Sequence, residues 1–382
     1  MASMETGAWR GAEAFHRVGR TERGAWWWVD PGQGPWVVAG VQGVNRTLGS
    51  SPILAQLQGW GFKLLGPDAA EGLMNRGAPF LQALELRRAA GRLIHQNGVQ
   101  LPDVFDPRWE EAAEQVVNGV MRTASLAGYV SDRNLSWGEA SEATHALARP
   151  TLLQVCLSLD PAFSAYHAAW EFVLAPRGGE FTRLTADWGV ALTNKEALRQ
   201  MTRDEVGLDT RAYREDLARF TQQFALRYFG GVGRILKAVD PGRLWLSPAL
   251  YPSTPQVVRE MTAQHCDVVQ VSEVGLGGGV APELWVDVDW TRLGREVAVE
   301  DPLGVSEMEQ MMRRGRQALV GALSQPQVVG YFWGHYGHGD IARDGPFTKG
   351  LLDEVGRVNH AHVQVLSAIN RQALALRVAA WG

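Results

Sequence analysis

The stretch Leu126-Ala-Gly-Tyr-Val-Ser-Asp-Arg-Asn-Leu-Ser-Trp137 changes character halfway along. Its first half, as far as Val130, has the small, aromatic and β-branched residues of a short buried strand. Its second half, residues 131–134, is polar. Because successive side chains of a strand alternate between faces, Val130, Asp132 and Asn134 share one face. The stretch therefore predicts a buried strand that ends in a polar cluster, which either lines a site or caps the loop that follows.

The composition fits one large folded domain without a charged polymer as partner. Of 382 residues, 46% are hydrophobic and 20% charged, which predicts a globular core. The net charge of −4 and the lack of a long basic run argue against a nucleic-acid or membrane partner. Cys156 and Cys266 are too few for a disulfide scaffold. With neither a leader-like start nor an apolar run of membrane-spanning length, the sequence predicts a cytoplasmic protein.

Strand and helix candidates alternate along most of the chain. The strand candidates are residues 36–44, 61–66, 79–86, 126–134, 243–249, 267–272, 284–289 and 328–333. Eight short apolar strands separated by helices or long crossovers predict a (β/α)8 TIM barrel in a single domain over 1–382. A doubly wound open sheet is the alternative. It more naturally carries a glycine-rich phosphate loop after its first strand, and Gly40-Val-Gln-Gly-Val-Asn45 does not match that loop.

Two segments lie outside this alternation. Residues 1–35 predict a loose lead-in and then the first arm of a hairpin that turns at Asp30-Pro-Gly32. Residues 138–240 show helical periodicity without a clear strand, which predicts a long helical insertion after the fourth barrel strand. Apolar positions of this insertion, such as Phe220 and Phe224, need a partner surface. We therefore expect it to pack on the barrel and not to form a separate domain.

The end of the seventh strand is the richest in ionisable groups, and barrels keep their functional residues at the carboxyl ends of strands. In Leu284-Trp-Val-Asp-Val-Asp289, alternation places the apolar residues toward the helices. Trp285, Asp287 and Asp289 are then expected to point into the barrel mouth. Two carboxylates on one interior face are costly unless they are paired or used. They either act in catalysis or form a buried ion pair with Arg133 or Arg292.

Other strand ends add Asp132, at the fourth strand, and Glu273, at the sixth, as candidate acids or bases. The eighth strand runs into a segment with His335, His338 and Asp340. Their spacing is too loose for a recognised metal motif, so we expect neither a metal nor a cofactor. A metal-dependent barrel enzyme remains the least favoured alternative.

An ordered set of motifs resembles the retaining (β/α)8 glycoside hydrolases, in their β-agarase and β-galactosidase-like branch. The resemblance covers nearly the whole chain. Residues 128–137 resemble the family segment Gly-Tyr-Phe-x-Asp-Asn-Glu-Leu-x-Trp, and Gln58-Gly-Trp-Gly-Phe62 resembles the approach to its second strand. The remaining matches are the aromatic run with Asp-Pro-Gly in 24–45, the Trp-Gly of 181–189, the approach to strand five in 240–246, and the last strand in 329–336.

The resemblance implies a carbohydrate partner, together with a changed catalytic pair. The family's fourth strand ends Asn-Glu, and this glutamate is the acid/base; Arg133 and Asn134 fall on these positions. Asparagine cannot donate and recover a proton at neutral pH. The family's nucleophile is a glutamate at the tip of strand seven, where Asp287 and Asp289 stand. Retaining hydrolysis needs two carboxyl groups about 5–5.5 Å apart.

Two functions follow from this comparison. The first is a glycoside hydrolase in which Asp287 is the nucleophile or base and Asp132, Glu273 or Asp289 completes the pair. The second is a carbohydrate-binding protein that has lost the acid/base. In either case Trp333, at the tip of the last strand, is expected to form a sugar-stacking floor, as in the family. The candidate substrate contacts are Trp333, Arg133, Trp137, Trp285, His335 and Tyr336.

Overall fold

The structure is a computed structural model that describes residues 9–44, 50–74, 76–89, 92–138, 149–293, 306–337, 350–353 and 355–382. Its strands are β1 Trp9–Arg10, β2 Arg17–Arg20, β3 Trp26–Asp30, β4 Gly34–Trp36, β5 Val38–Val41, β6 Leu64–Leu65, β7 Phe80–Ala83, β8 Leu93–Gln96, β9 Val99–Pro102, β10 Leu126–Val130, β11 Ser136–Trp137, β12 Leu244–Leu246, β13 Val269–Val271, β14 Glu283–Val288 and β15 Val328–Trp333. Its α-helices are α1 Ser50–Gly59, α2 Glu71–Met74, α3 Pro107–Asn118, α4 Leu152–Ser158, α5 Ser164–Leu174, α6 Phe181–Trp188, α7 Lys195–Arg203, α8 Arg211–Val239, α9 Gln256–His265, α10 Trp290–Leu293, α11 Glu307–Leu323 and α12 His360–Trp381.

Within the described chain, eight parallel strands form a barrel. Hydrogen bonds join them in the order β12, β10, β7, β6, β5, β15, β14, β13. Parallel bridges from Leu246 to Val268 and from Leu250 to Val271 join the two end strands. This arrangement confirms the predicted (β/α)8 fold. The helices between the strands cover the outer face, as parallel sheets require.

The barrel interior is a packed apolar core below a polar mouth. Leu64, Leu81, Leu246 and Phe332 belong to one buried cluster, and each is at most 1% exposed. Gly40 on β5 makes room for the Phe332 ring, because a Cβ atom at residue 40 would lie 2.4 Å from that ring. The interior is therefore closed to a ligand except at its ends.

The amino end of the barrel is covered by a four-stranded antiparallel sheet in the order β1-β2-β3-β4. Trp28 and Trp36 of this sheet belong to the barrel's interior cluster. The expectation of a loose lead-in is thus wrong for the part from Trp9 onward, where β1 and β2 are too short and polar to show alternation. Trp36 also ends the hairpin strand β4, and the first barrel strand begins at Val38.

The side chain of Arg377 joins helix α12 to this end of the barrel. Its guanidinium donates to the carbonyl oxygens of Leu323 (3.0 Å), Gln325 (2.9 Å) and Pro326 (3.0 Å), and also to that of Trp26. The residue is 1% exposed, and burial lowers the pKa of Arg377 to about 10. A single buried cation therefore satisfies carbonyl groups from two distant parts of the chain.

Replacing Arg377 by methionine should lower the free energy of unfolding by about 2–4 kcal/mol, because buried carbonyls lose charged donors. Urea denaturation measures the change. The matched control is Arg371→Met, which removes an exposed guanidinium with one bond to the Gly59 carbonyl oxygen (3.1 Å) and should cost less than about 0.5 kcal/mol. Equal urea midpoints for Arg377→Met and Arg371→Met would contradict the stabilising role of Arg377.

A hairpin that the sequence analysis missed lies beside the barrel. Strands β8 and β9 are joined by Asn97 and Gly98 with φ angles of 47° and 79°. An Asn-Gly pair with two positive φ angles is the favoured two-residue hairpin turn, so the signal was present in the sequence. Strand β11 pairs with β9, which fixes the chain just beyond the fourth barrel strand.

Between the fourth and fifth barrel strands the chain forms helices α4 to α8, as expected for a helical insertion. The 29-residue α8 buries an aromatic face against residues of the barrel side. Phe229 packs on Trp245 of β12 (ring centroids 6.3 Å apart), and Tyr228 packs on Trp109 of α3 (5.8 Å). Within the described residues, no helix combines the length and apolar character needed to cross a membrane.

Residues 138–240 expressed alone should not fold cooperatively, because the aromatic face of α8 would lose Trp109 and Trp245. We expect a broad thermal transition by circular dichroism and binding of a hydrophobic dye. A sharp two-state melt of the isolated fragment would show instead that the insertion is a domain of its own.

Candidate functional site

A polar cavity of about 180 Å³ lies at the carboxyl ends of the barrel strands. Its lining residues are Gln42, Pro67, Asp68, Val130, Arg133, Asn134, Ala249, Gln270, Val286 and Asp287. They come from the ends of strands on both sides of the barrel, so the cavity is the barrel mouth. Active sites of TIM-barrel enzymes occupy this position, and we take the cavity as the candidate site.

Asp287 reaches the cavity because the end of β14 is bulged. Trp285 pairs with Tyr331 and Val288 with Trp333, so two residues of β14 stand opposite one of β15. Asp287 has a φ of 55°, the left-handed region that few non-glycine residues adopt. Its main-chain N–H donates to the Gln42 side-chain oxygen (3.1 Å). Backbone strain of this kind is often retained at functional sites.

The facing of this strand before the bulge is the reverse of the prediction. Leu284 and Val286 belong to the interior cluster, whereas Trp285 packs outward and donates its indole N–H to the Ser272 carbonyl oxygen (2.9 Å). Asp289 is 2% exposed and accepts from the main-chain N–H of Arg292 (2.9 Å). It therefore begins helix α10 as a cap and does not share a face with Asp287 in the mouth.

Asn134 and Asp287 meet at the hydroxyl of Tyr251, which lies on the loop after β12. That hydroxyl is 3.1 Å from Asn134 Oδ1 and 3.2 Å from Asp287 Oδ2. The two lengths put Asn134 Oδ1 and Asp287 Oδ2 no more than about 6.3 Å apart. The strand ends thus bring two polar side chains to one hydroxyl group.

Salt bridges fix the polar tip of the fourth strand. Arg133 Nε donates to Glu85 Oε1 (2.7 Å), and Arg87 lies 3.2 Å from Glu85 Oε2. Arg87 also donates to the main-chain oxygen of Asn134 (2.7 Å). The Arg133 side chain is about half exposed, so it lines the cavity while its charge is engaged by Glu85.

Asp132 lies beneath the mouth and does not line it, in contrast to the expectation that it serves as an acid. Its carboxyl group is fully buried and accepts from the Arg87 main-chain N–H (3.0 Å) and from the Tyr228 hydroxyl. Burial raises the pKa of Asp132 to about 7, and the hydrogen bond from Tyr228 lowers it in part. Asp132 therefore positions the strand tip from below.

The raised pKa of Asp132 predicts a pH dependence of stability. Between about pH 4 and 7 the folded protein keeps a proton that the unfolded chain has lost, so this group's contribution to the free energy of unfolding falls as pH rises. Urea titrations at several pH values measure the free energy of unfolding, which should fall more steeply between about pH 4 and 7 in wild type than in Asp132→Asn. The exposed Asp204→Asn is the control. Identical pH slopes in wild type and Asp132→Asn would contradict the prediction.

Asp68 is a mouth residue that the sequence analysis missed. It follows the two-residue strand β6, and its Oδ2 accepts from the Gly43 main-chain N–H (2.7 Å). The segment Gly66-Pro-Asp68 reads as an ordinary turn, so no local pattern marks it. A carboxyl group three residues beyond a barrel strand was the one available signal.

The other predicted contacts do not line this cavity. Trp333 is fully buried against Trp290 (ring centroids 5.0 Å apart), so it cannot form a sugar-stacking floor. Trp137 is 4% exposed and packs on Phe229. The half-buried His335, the buried Tyr336 and the exposed Glu273 are likewise absent from the residues that line it.

Aromatic rings near the mouth are therefore fewer than the tryptophan content suggested. Tyr251 is partly buried and packs on the interior cluster, which leaves its ring beside Asn134 and Asp287. Among the described residues, no three His, Cys, Asp or Glu side chains gather closely enough to hold a metal ion. His338 and Asp340 lie outside the described residues.

Solved structures with the same fold are carbohydrate-active enzymes. An agarase, AgWH50C, superposes with a TM-score of 0.70 at 18% identity, covering 97% of this chain and 66% of its own. An exo-β-agarase gives 0.72 at 13% identity, with the same coverage of 97% and 66%. A β-galactosidase from the haloarchaeon Halorubrum lacusprofundi gives 0.51 at 11% identity, covering 88% and 58%.

These similarities confirm the resemblance in fold to agarases and β-galactosidases. The chain spans about two thirds of the length of the agarases. No protein-family model matches the chain, and no curated protein matches it in sequence. At these identities the likeness establishes the barrel, and the chemistry has to be argued from the residues in the mouth.

Proposed function

We propose that the barrel mouth binds an oligo- or polysaccharide and that Asp287 attacks its anomeric carbon in a retaining hydrolysis. The observation that carries this proposal is the convergence of Asn134, Tyr251 and Asp287. These residues lie at the carboxyl ends of three different barrel strands, and one hydroxyl lies within hydrogen-bond reach of both side-chain oxygens. The similar structures that are agarases and a β-galactosidase support a carbohydrate as the ligand.

The mouth has the chemistry that sugars require. Sugar hydroxyl groups need donors and acceptors together, and the amide of Asn134, the guanidinium of Arg133 and the hydroxyl of Tyr251 supply both. The Tyr251 ring adds a flat apolar surface beside them, on which a pyranose can pack. The cavity of about 180 Å³ is smaller than the roughly 300–1,000 Å³ of drug-sized ligand pockets, which favours recognition of a single sugar unit at this point.

Asp287 is suited to the nucleophilic step. Its main chain is held by Gln42, and its carboxylate lies at the hydroxyl of Tyr251. Attack of Asp287 Oδ on the anomeric carbon forms a glycosyl ester while the bond to the leaving oxygen breaks. Water then cleaves the ester and regenerates the carboxylate. The leaving oxygen needs a proton, which neither Asp287 nor Asn134 can supply.

A second function, sugar binding without turnover, is favoured by one residue. Asn134 stands where the resemblance places the acid/base, and its amide carries no transferable proton at neutral pH. The two functions share the ligand and the site. They differ in whether a proton donor is present in the mouth.

Isothermal titration calorimetry with agarotetraose and with lactose tests the binding site. Tyr251→Phe removes the shared hydroxyl and should weaken the affinity about 5- to 10-fold, the size of one hydrogen bond. Tyr166→Phe, on the insertion helix α5, is the matched control and should leave the affinity unchanged. Trp333→Phe should also leave binding-induced fluorescence changes intact, because the ring is buried. Absence of binding of both sugars to the wild type would overturn the proposed function.

A further inference from the structure

We propose that Asp68 is the proton donor of this site and that Asp68 and Asp287 form its catalytic pair. The proposal rests on the proposed function, because it supplies the proton that hydrolysis at Asp287 requires. It departs from the sequence resemblance, which places the proton donor at the tip of the fourth strand.

The two oxygens of the Asp68 carboxyl group have different surroundings. Oδ2 accepts from the Gly43 main-chain N–H (2.7 Å). Oδ1 is buried and makes no hydrogen bond among the described residues. It faces Gly66, where the Cβ atom of any other residue would lie 3.0 Å from Oδ1. An anionic oxygen without a donor is costly to bury. Protonation neutralises the carboxyl group, which lowers that cost and makes the group a hydrogen-bond donor.

One backbone segment ties the two carboxyl groups to the same cavity. Gln42 accepts from the Asp287 main-chain N–H through its side chain (3.1 Å), and the next residue, Gly43, holds Asp68. Gln42 is itself fixed, because its N–H donates to the Trp333 carbonyl oxygen (2.8 Å). Both residues line the cavity.

Burial favours the protonated form of Asp68. Burial raises the pKa of Asp68 above its ordinary value, and the nearby charge of Asp287 raises it further. The Gly43 hydrogen bond and the charge of Arg133 lower the pKa in part, and Glu85 engages Arg133 by an ion pair (2.7 Å). General acid catalysis needs a carboxyl group that keeps its proton near neutral pH, and a raised pKa serves that role.

The reaction balances with these two groups alone. The Asp68 carboxyl group gives its proton to the glycosidic oxygen as the bond from that oxygen to the anomeric carbon breaks, and the leaving sugar departs as an alcohol. Asp287 forms the glycosyl ester in the same step. Asp68, now ionised, takes a proton from the water that attacks the ester, which releases the second sugar and restores both carboxyl groups.

The test compares leaving groups in Asp68→Asn. Turnover of agarotetraose and lactose should fall about 10²–10⁴-fold, the contribution of a positioned acid. Turnover of 2,4-dinitrophenyl β-galactoside, whose leaving group needs no proton, should change less than about 10-fold. The fall of wild-type kcat/KM at high pH should disappear in the variant, because that limb reports loss of the acid's proton.

The matched control is Asp103→Asn. Asp103 is a buried carboxyl group with a raised pKa that also accepts main-chain N–H groups, from Ala165 and Phe105, but it lies outside the mouth. In Asp103→Asn, kcat/KM should depend on the leaving group and on pH as it does in the wild type. An equal loss on all substrates in Asp68→Asn, or the same selective loss in Asp103→Asn, would overturn the role of Asp68.

A second measurement covers the case in which Asp68→Asn does not fold. Carboxyl-carbon NMR of the wild type should show Asp68 titrating above an ordinary aspartate, and Asp287→Asn should lower that pKa. An ordinary pKa, or one that ignores Asp287→Asn, overturns the proposal. A wild type that binds sugar but cleaves none of the three substrates overturns the proton-donor role and leaves the binding site standing. Failure to bind sugar counts against the proposed function itself.

Discussion

Asp287→Asn should abolish hydrolysis, lowering kcat by roughly 10⁴–10⁶-fold, the range seen when a catalytic nucleophile or its partner is removed. The amide is far less nucleophilic than the carboxylate and forms no glycosyl ester. Asparagine tolerates the left-handed backbone that residue 287 adopts, so the mouth should keep its shape. The affinity for agarotetraose measured by calorimetry should therefore stay within about 3-fold of wild type. The lost interaction forms only in the transition state, so binding of the substrate is kept.

Glu273→Gln is the control for Asp287→Asn. Glu273 is an exposed carboxylate just beyond β13 that does not line the cavity, so this variant should keep wild-type kinetics. Asp287→Gly gives an independent check, since relief of the positive φ should raise the free energy of unfolding by about 1 kcal/mol while activity is lost. Substantial hydrolysis by both Asp287 variants would place the nucleophile elsewhere.

Asn134→Glu should restore the activity that Asp68→Asn loses, by up to about 10²–10⁴-fold on agarotetraose. The side-chain oxygens of Asn134 and Asp287 both lie within hydrogen-bond reach of the Tyr251 hydroxyl, so residue 134 lies near Asp287. A glutamate there recreates the acid/base of the family that the sequence resembles. Because the Arg133 charge would favour the ionised form of the new carboxyl group, the rescue should be larger with Arg133→Asn added.

Asn134→Gln in the same Asp68→Asn background separates proton transfer from shape. Glutamine has the length of glutamate without a transferable proton, so it should restore nothing. Equal rates for the glutamate and glutamine variants would mean that the tip of the fourth strand is not oriented for proton donation. Initial product analysis by NMR should show retention of anomeric configuration in the rescued enzyme.

The barrel was predictable from sequence because its signals are local and repeated. Short apolar strands bounded by glycine or proline, such as Val328–Trp333, need no tertiary context to be recognised. The facing of β14 was mispredicted because its apolar residues Leu284 and Val286 point into the barrel, whereas the sequence analysis expected them to point toward the helices. The bulge at Val286 and Asp287 then turns Asp287 inward as well, which regular alternation does not predict.

The site was less predictable than the fold because it depends on burial. Asp132 has the sequence position of a mouth residue, yet its carboxyl group turns down to Tyr228 and Arg87. Trp333 stands at a strand tip and is covered by Trp290. Asp68 entered the mouth through a turn with no distinguishing pattern. These outcomes follow from contacts between residues far apart in sequence, which periodicity does not encode.

The contacts of Arg377 also set an order of events during synthesis on the ribosome. Its guanidinium binds the Trp26 carbonyl oxygen, 351 residues earlier in the chain. The sheet that covers the amino end of the barrel therefore lacks this partner until nearly all of the described chain has left the exit tunnel. At about 5–20 residues per second, the tryptophan-rich strand waits roughly 20–70 seconds for its last contact. Over that interval it is a natural client for chaperones that bind apolar segments of nascent chains.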